Sequence, residues 1–128
     1  MSEKLKIMLV DDEPIVGKRL KPALEKSGYE IEVYENGSEA LKRIGEKDFD
    51  IIVTDVRMDE VDGLDILEGV MAKSSNTKVI IITGYATIEI AREALAKGAF
   101  DFIAKPFKPN DLREIIQKAV LALKQESD

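Results

Sequence analysis

The sequence has no histidine, no cysteine and no tryptophan in 128 residues, and only three tyrosines and four phenylalanines. Without histidine, imidazole acid–base catalysis and a Ser-His-Asp triad are excluded. Without histidine and cysteine together, a zinc or copper site is nearly excluded. Any bound metal has to be held by oxygen, which favours magnesium, calcium or manganese. No apolar run is long enough to cross a bilayer. The first residues, MSEKLKIMLV, carry no signal-peptide core or cleavage site, so the expected compartment is the cytoplasm and no membrane contact is expected. Positive charge is also short: 19 Lys and Arg stand against 25 Asp and Glu, a formal net charge of −6. Direct nucleic-acid binding by this chain is therefore not expected.

What remains is an ordinary globular composition, 45% hydrophobic, of a length that suits one domain over residues 1–128. Five short apolar runs stand out: LKIMLV (5–10), IEVY (31–34), DIIVT (50–54), VIIIT (79–83) and FDFIA (100–104). The first, third and fourth are almost wholly apolar, as parallel strands covered on both faces are. The second is short and alternates with Glu, which suits a sheet edge. Between the runs lie segments of helical spacing. Ile15, Leu20 and Leu24 mark the first, closed by Gly28. Ala40, Leu41 and Ile44 mark the second, before Gly45. Leu64, Leu67, Val70 and Met71 mark the third, and Ile88, Ala91, Leu95 and Ala96 the fourth, with Gly98 as its stop. The last carries Leu112, Ile115, Ile116, Ala119, Val120 and Leu123. Strict alternation with short connections implies an α/β fold, a parallel sheet with helices on both faces. The final helical pattern runs almost to Asp128, and no linker or second domain is expected after it.

In such folds ligands bind beyond the carboxyl ends of the strands, where strand order reverses. The first strand delivers Asp11 and Asp12 there, the third Asp55, the fourth Thr83, and the fifth runs into Lys105-Pro106. Each has a plain structural explanation. An Asp after a strand often caps the next helix, and Pro14 is well placed as a first helical residue. Capping explains one acid of Asp11-Asp12-Glu13, most simply Glu13 or Asp12, but not a pair against the strand. Asp55 lies too far before the next helix, near Leu64, to cap it, and Asp62-Gly63 supplies the turn chemistry there. Threonine ends many strands, and Thr87 sits nearer than Thr83 to the following helix. Most lysines are solvated surface charges. The combination is more informative than its members. Clustered carboxylates destabilise one another unless a cation sits among them. A carboxylate nucleophile, a hard cation, a hydroxyl and a fixed ammonium are parts suited to phosphoryl transfer, which needs charge neutralisation more than a proton shuttle.

The motifs MLVDDEP (8–14), VTDVRM (53–58), DGL (62–64), IIITGYA (80–86) and DFIAKPF (101–107) resemble, in order and spacing and over essentially the whole chain, a receiver domain of two-component response regulators. The stretch TGYATIEIAREALAKGAFDFIAKPF is most similar to receivers of sigma-54-dependent (NtrC-type) activators, so the chain is either a stand-alone receiver or a piece of a longer transcription regulator. The resemblance implies a flavodoxin-like (βα)5 three-layer sandwich with a five-stranded parallel sheet of order 2-1-3-4-5. It implies Asp55 as phospho-acceptor and Mg2+ as cofactor, with Asp12 a direct ligand, Asp11 acting mainly through water, and Asp55 and the backbone carbonyl of Arg57 completing the protein's share. It implies that Thr83 and Lys105 bind the phosphoryl group, that Lys105-Pro106 is cis, and that Thr83 and Phe102 form the switch. The implied partners are a sensor histidine kinase and either a second copy or a downstream effector. The implied catalysis is limited to the chain's own phosphorylation and dephosphorylation.

Some residues depart from the pattern. Asp59 follows Met58 where the family usually has proline, and Phe102 lacks the hydroxyl of a tyrosine. Arg57 and Tyr85 occupy positions that tune phosphoryl lifetime in the family. Two rival readings are a haloacid-dehalogenase-like phosphatase, whose nucleophile would follow the first strand, and a receiver-fold interaction module that works without phosphorylation.

Overall fold

The computed structural model describes residues 4–58, 60–73, 76–84 and 88–126, with the backbone alone at positions 88 and 91. Expectations for Asp59, Tyr85 and Thr87, and for the side chains of Ile88 and Ala91, fall outside the described residues. The elements alternate: β1 (Lys6–Val10), α1 (Pro14–Lys26), β2 (Glu30–Tyr34), α2 (Gly37–Glu46), β3 (Ile51–Asp55), α3 (Gly63–Lys73), β4 (Lys78–Thr83), α4 (Ile88–Ala96), β5 (Asp101–Ala104) and α5 (Pro109–Glu126). The strands pair in parallel in the order β2-β1-β3-β4-β5. The fold is thus the flavodoxin-like α/β sandwich that the alternation and the resemblance imply. No described helix is long and apolar enough to cross a membrane.

The strand pleat sends alternate side chains to opposite faces, and two cores result. Ile7 and Leu9 of β1, Ile51 and Val53 of β3, and Ile80 and Ile82 of β4 pack under α1 and α5 with Leu20, Leu24, Leu112 and Ile116. Met8, Val10, Ile52 and Ile81 face the other way, with Ala40 and Ile44 of α2, Ile66, Leu67 and Val70 of α3, and Ala94 of α4. Each fully buried Ile or Leu contributes roughly 1.5–3 kcal/mol. Because β1 feeds a helix on one face and β3 a helix on the other, a crevice opens between their carboxyl ends.

Four local expectations are corrected. Ile15 is 58% exposed: the buried positions of α1 are Gly17, Leu20 and Leu24, and Ile15 lies two residues, about 200°, around from Gly17. Among the described side chains of α4 the buried one is Ala94, which leaves Leu95 45% exposed and Ala96 also outside. Gly45 does not stop α2 but lies within it, and the helix closes at extended Lys47. Gly28 and Gly98 do stop their helices, at φ values of 94° and 109° that other residues adopt only at a cost.

Candidate functional site

Each site residue is placed by the strand that ends beside it. Asp11 follows β1 directly, and its N–H donates to Tyr34 O at 3.0 Å, extending the β1–β2 ladder by one residue. Its carboxylate is buried, with Oδ1 accepting the Glu13 N–H at 2.9 Å. Asp55 is the last residue of β3, in register with Ile82 of β4. Its Oδ1 accepts the Arg57 N–H at 3.0 Å. The turn after it is held by the Val56 N–H donating to Ile82 O at 2.7 Å and the Gly63 N–H donating to Val56 O at 3.2 Å. Gly63 is required there, since a Cβ would lie 2.4 Å from Asp55 O. The start of α3 is fixed by a reciprocal pair: Asp62 Oδ1 accepts the Asp65 N–H and Asp65 Oδ2 accepts the Asp62 N–H, both at 3.0 Å.

From the other side come β4 and β5. Thr83 is buried at the end of β4, opposite Ala104. The Lys105 N–H donates to Thr83 O at 2.8 Å, which ties the lysine backbone to β4 just beside the site. The Lys105-Pro106 bond is cis. Lys105 Nζ then reaches inward, 2.9 Å from Asp55 Oδ2, 2.7 Å from Glu13 Oε1 and 3.0 Å from Asp11 Oδ2. Phe102, half-buried in β5, packs against the core on the α2–α4 face.

Carboxylate oxygens of Asp11, Asp12 and Asp55 all lie within 4.8 Å of one another, with Asp12 exposed and the other two buried. Asp11 Oδ2 is the atom that characterises the cluster. It is ion-paired with Lys105 at 3.0 Å, yet the approach lacks hydrogen-bond geometry and the buried oxygen has no hydrogen-bond partner. An ion pair at that distance supplies charge without satisfying the lone pairs, so we regard the oxygen as under-coordinated. Burial pushes the Asp11 carboxyl above its ordinary range, and neighbouring Asp55 pushes the same way against the Glu13 N–H and Lys105. Burial pulls the Lys105 ammonium down, but Glu13, Asp55 and Asp11 outweigh it and hold the group above the usual lysine range. Three carboxylates, one of them with an unsatisfied buried oxygen, make a donor set compatible with a hard, oxygen-loving cation.

Glu13 departs from its expected part. It occupies the residue before Pro14, but its side chain makes no capping bond. The helix start is instead satisfied by Asp11, which takes the Glu13 N–H, and by the Glu13 carbonyl, which accepts from Val16 at 3.1 Å. That frees the Glu13 carboxylate for Lys105, 92 positions away, and Lys105 holds it below the usual glutamate range. Helix periodicity is a local signal and could not have shown this contact.

Residues 7–117 match the family model of the response regulator receiver domain. The chain belongs to that family. This receiver is 38% identical over 115 residues to the regulatory protein AtoC of Escherichia coli, covering 90% of the chain but only 25% of AtoC. It is 37% identical over 116 residues to the chemotaxis protein CheY of Listeria monocytogenes, covering 90% of the chain and 98% of CheY. Among solved structures, a CheY-like receiver from Methanospirillum hungatei superposes with a TM-score of 0.90 at 30% identity, covering 97% of this chain and 99% of that one. NtrX of Brucella abortus gives a TM-score of 0.89 at 28% identity, covering 98% of this receiver and 28% of NtrX. Its relatives thus include sigma-54 activators, as the stretch before Phe107 led one to expect, and CheY-like receivers as well. Two-component receivers are phosphorylated on aspartate and interact with kinases and effector domains.

Proposed function

We propose that this receiver is a cytoplasmic phosphorylation switch in which Asp55 accepts a phosphoryl group from the phosphohistidine of a sensor kinase, with Mg2+ as cofactor. The observation that carries the reading is the meeting of Asp55 Oδ2 with Lys105 Nζ at 2.9 Å beside the under-coordinated Asp11 Oδ2. In the step, Asp55 Oδ2 attacks phosphorus, the P–N bond breaks, and its electron pair returns to the departing imidazole. The Arg57 N–H holds Asp55 Oδ1 and so orients the other oxygen outward. Lys105 offers its ammonium to the incoming phosphoryl oxygens, and Thr83 offers its hydroxyl from the end of β4. Asp11, Asp12, Asp55 and the Arg57 carbonyl would hold Mg2+, which neutralises the charge that builds on those oxygens.

The chain catalyses only its own phosphorylation and dephosphorylation in this reading. Movement of Thr83 toward the new phosphoryl group would let Phe102 repack and bias a two-state surface around α4 and β5. That surface would serve a second copy or a downstream effector, a transcriptional one if the chain is part of a longer regulator. The phosphatase alternative fits less well: its strand-one nucleophile would be Asp11, whose side chain is 1% exposed against 8% for Asp55. Beryllofluoride, an acyl-phosphate mimic, tests the switch. With Mg2+ it should shift the backbone resonances of Thr83 and Phe102 in the native chain and leave Asp55→Asn unchanged. Unshifted resonances in the native chain would overturn the reading.

A further inference from the structure

Lys105 is shared three ways, and one of its partners belongs to neither the proposed acceptor nor the metal set. An ammonium has three donors, and Glu13, Asp55 and Asp11 stand at 2.7, 2.9 and 3.0 Å from it. The Asp55 contact lies where a phosphoryl group would form. Asp11 cannot withdraw, because its side chain is 1% exposed and anchored by the Glu13 N–H. Glu13 makes the shortest contact, yet its side chain is 60% exposed and free to swing into water. It is also outside the cluster of acids that surround the candidate cation position, so a cation bound there would not directly neutralise it.

We infer that Glu13 is a positioning residue that restrains phosphoryl uptake: it draws the Lys105 ammonium toward solvent and adds one negative charge at the mouth that an anionic donor must enter. This inference rests on Asp55 being the acceptor. Both effects act in one direction. The donor has to displace Glu13 from Lys105, and it has to approach against a charge that belongs to no other part of the reaction. The cause is the Glu13–Lys105 contact, not helix capping, because the Glu13 side chain caps nothing.

The test measures uptake from acetyl phosphate with saturating Mg2+ for the native chain, Glu13→Gln, Glu13→Asp and Asp55→Asn. Glu13→Gln should take up phosphoryl roughly threefold to tenfold faster, the scale of one solvent-exposed charge a few ångströms away. Its advantage should shrink as ionic strength rises, because an exposed charge is screened; a merely structural effect would not move with salt. Glu13→Asp, which keeps the charge on a shorter arm, should fall between native and Gln. Equal or slower uptake by Glu13→Gln, with Asp55→Asn inactive, would overturn this inference and leave the acceptor assignment standing. Uptake by no chain, or equal uptake by Asp55→Asn, would overturn the acceptor assignment and this inference with it.

Discussion

Asp11 shows at the scale of one residue how a site can work against its own fold. Its carboxyl is buried, pushed up by desolvation and by Asp55, and left with an oxygen that no hydrogen bond reaches. A neutral amide of the same shape should be easier to bury. Asp11→Asn is therefore expected to raise metal-free stability by about 1 kcal/mol, the lower end of what an unsatisfied buried polar atom costs, while weakening Mg2+ binding and phosphorylation. Urea denaturation with and without Mg2+ checks both halves. Legibility in the sequence divides at this scale. The place of Asp55 at the carboxyl end of a strand was readable because it closes an apolar run and has no helix close enough to cap. Glu13 was misread because its chain neighbours favour a cap, while its actual partner, Lys105, is brought to it only by the pairing of five strands.

At the scale of elements, one close approach decides how well the site is held. Gly63 lets the start of α3 lie against the end of β3. A Cβ there would meet Asp55 O at 2.4 Å and Val56 Cα at 2.9 Å, both backbone atoms. Gly63→Ala should cost about 1–3 kcal/mol and also weaken Mg2+ binding, since the clash falls on Asp55, the proposed acceptor; calorimetric titration would reveal it. The edge of the sheet carries a different device. Glu32 of β2 is held by Arg43 at 2.9 Å and Lys47 at 2.7 Å, both reaching over from α2 and its end. Arg43 pulls the Glu32 carboxyl down most, burial opposes, and Lys47 and Tyr34 add to the pull, leaving a pKa of about 2 against an ordinary 4.5. A depressed carboxyl stabilises above its unfolded pKa and loses that contribution as pH falls through its folded one. The stabilisation, on the order of 1 kcal/mol after solvent screening, should be present above about pH 4.5 and fade toward pH 2. Glu32→Gln should flatten that part of the acid limb in a pH series of melting curves. The elements themselves were legible because short apolar runs and segments of 3.6-residue spacing alternate cleanly along the chain. Ile15 and Leu95 misled because each is an apolar residue on the wet side of its helix. Hydrophobicity without a neighbour's position cannot tell the two sides apart.

For the whole molecule, one sheet joins two cores, and the crevice between β1 and β3 belongs to both. A ligand gripped by Asp11 after β1 and Asp55 at the end of β3 is therefore linked to global unfolding. Mg2+ at ten times its Kd should stabilise by about 1.4 kcal/mol, which for a domain of this size raises Tm by roughly 4 °C. Differential scanning calorimetry should show that rise in the native chain and lose most of it in Asp12→Asn. The overall topology was open to sequence reading because a strict strand–helix alternation admits few arrangements. The strand order was carried by the family resemblance, since alternation alone does not choose among them.

The central claim is that Asp55 is the one acceptor of a phosphoryl group in this receiver. Intact-mass spectrometry after incubation with acetyl phosphate and Mg2+ tests it most directly. A single phosphoryl adduct is expected on the native chain, removed by chelating the metal and missing from Asp55→Asn. An adduct of equal occupancy on Asp55→Asn, or none on the native chain, would contradict it.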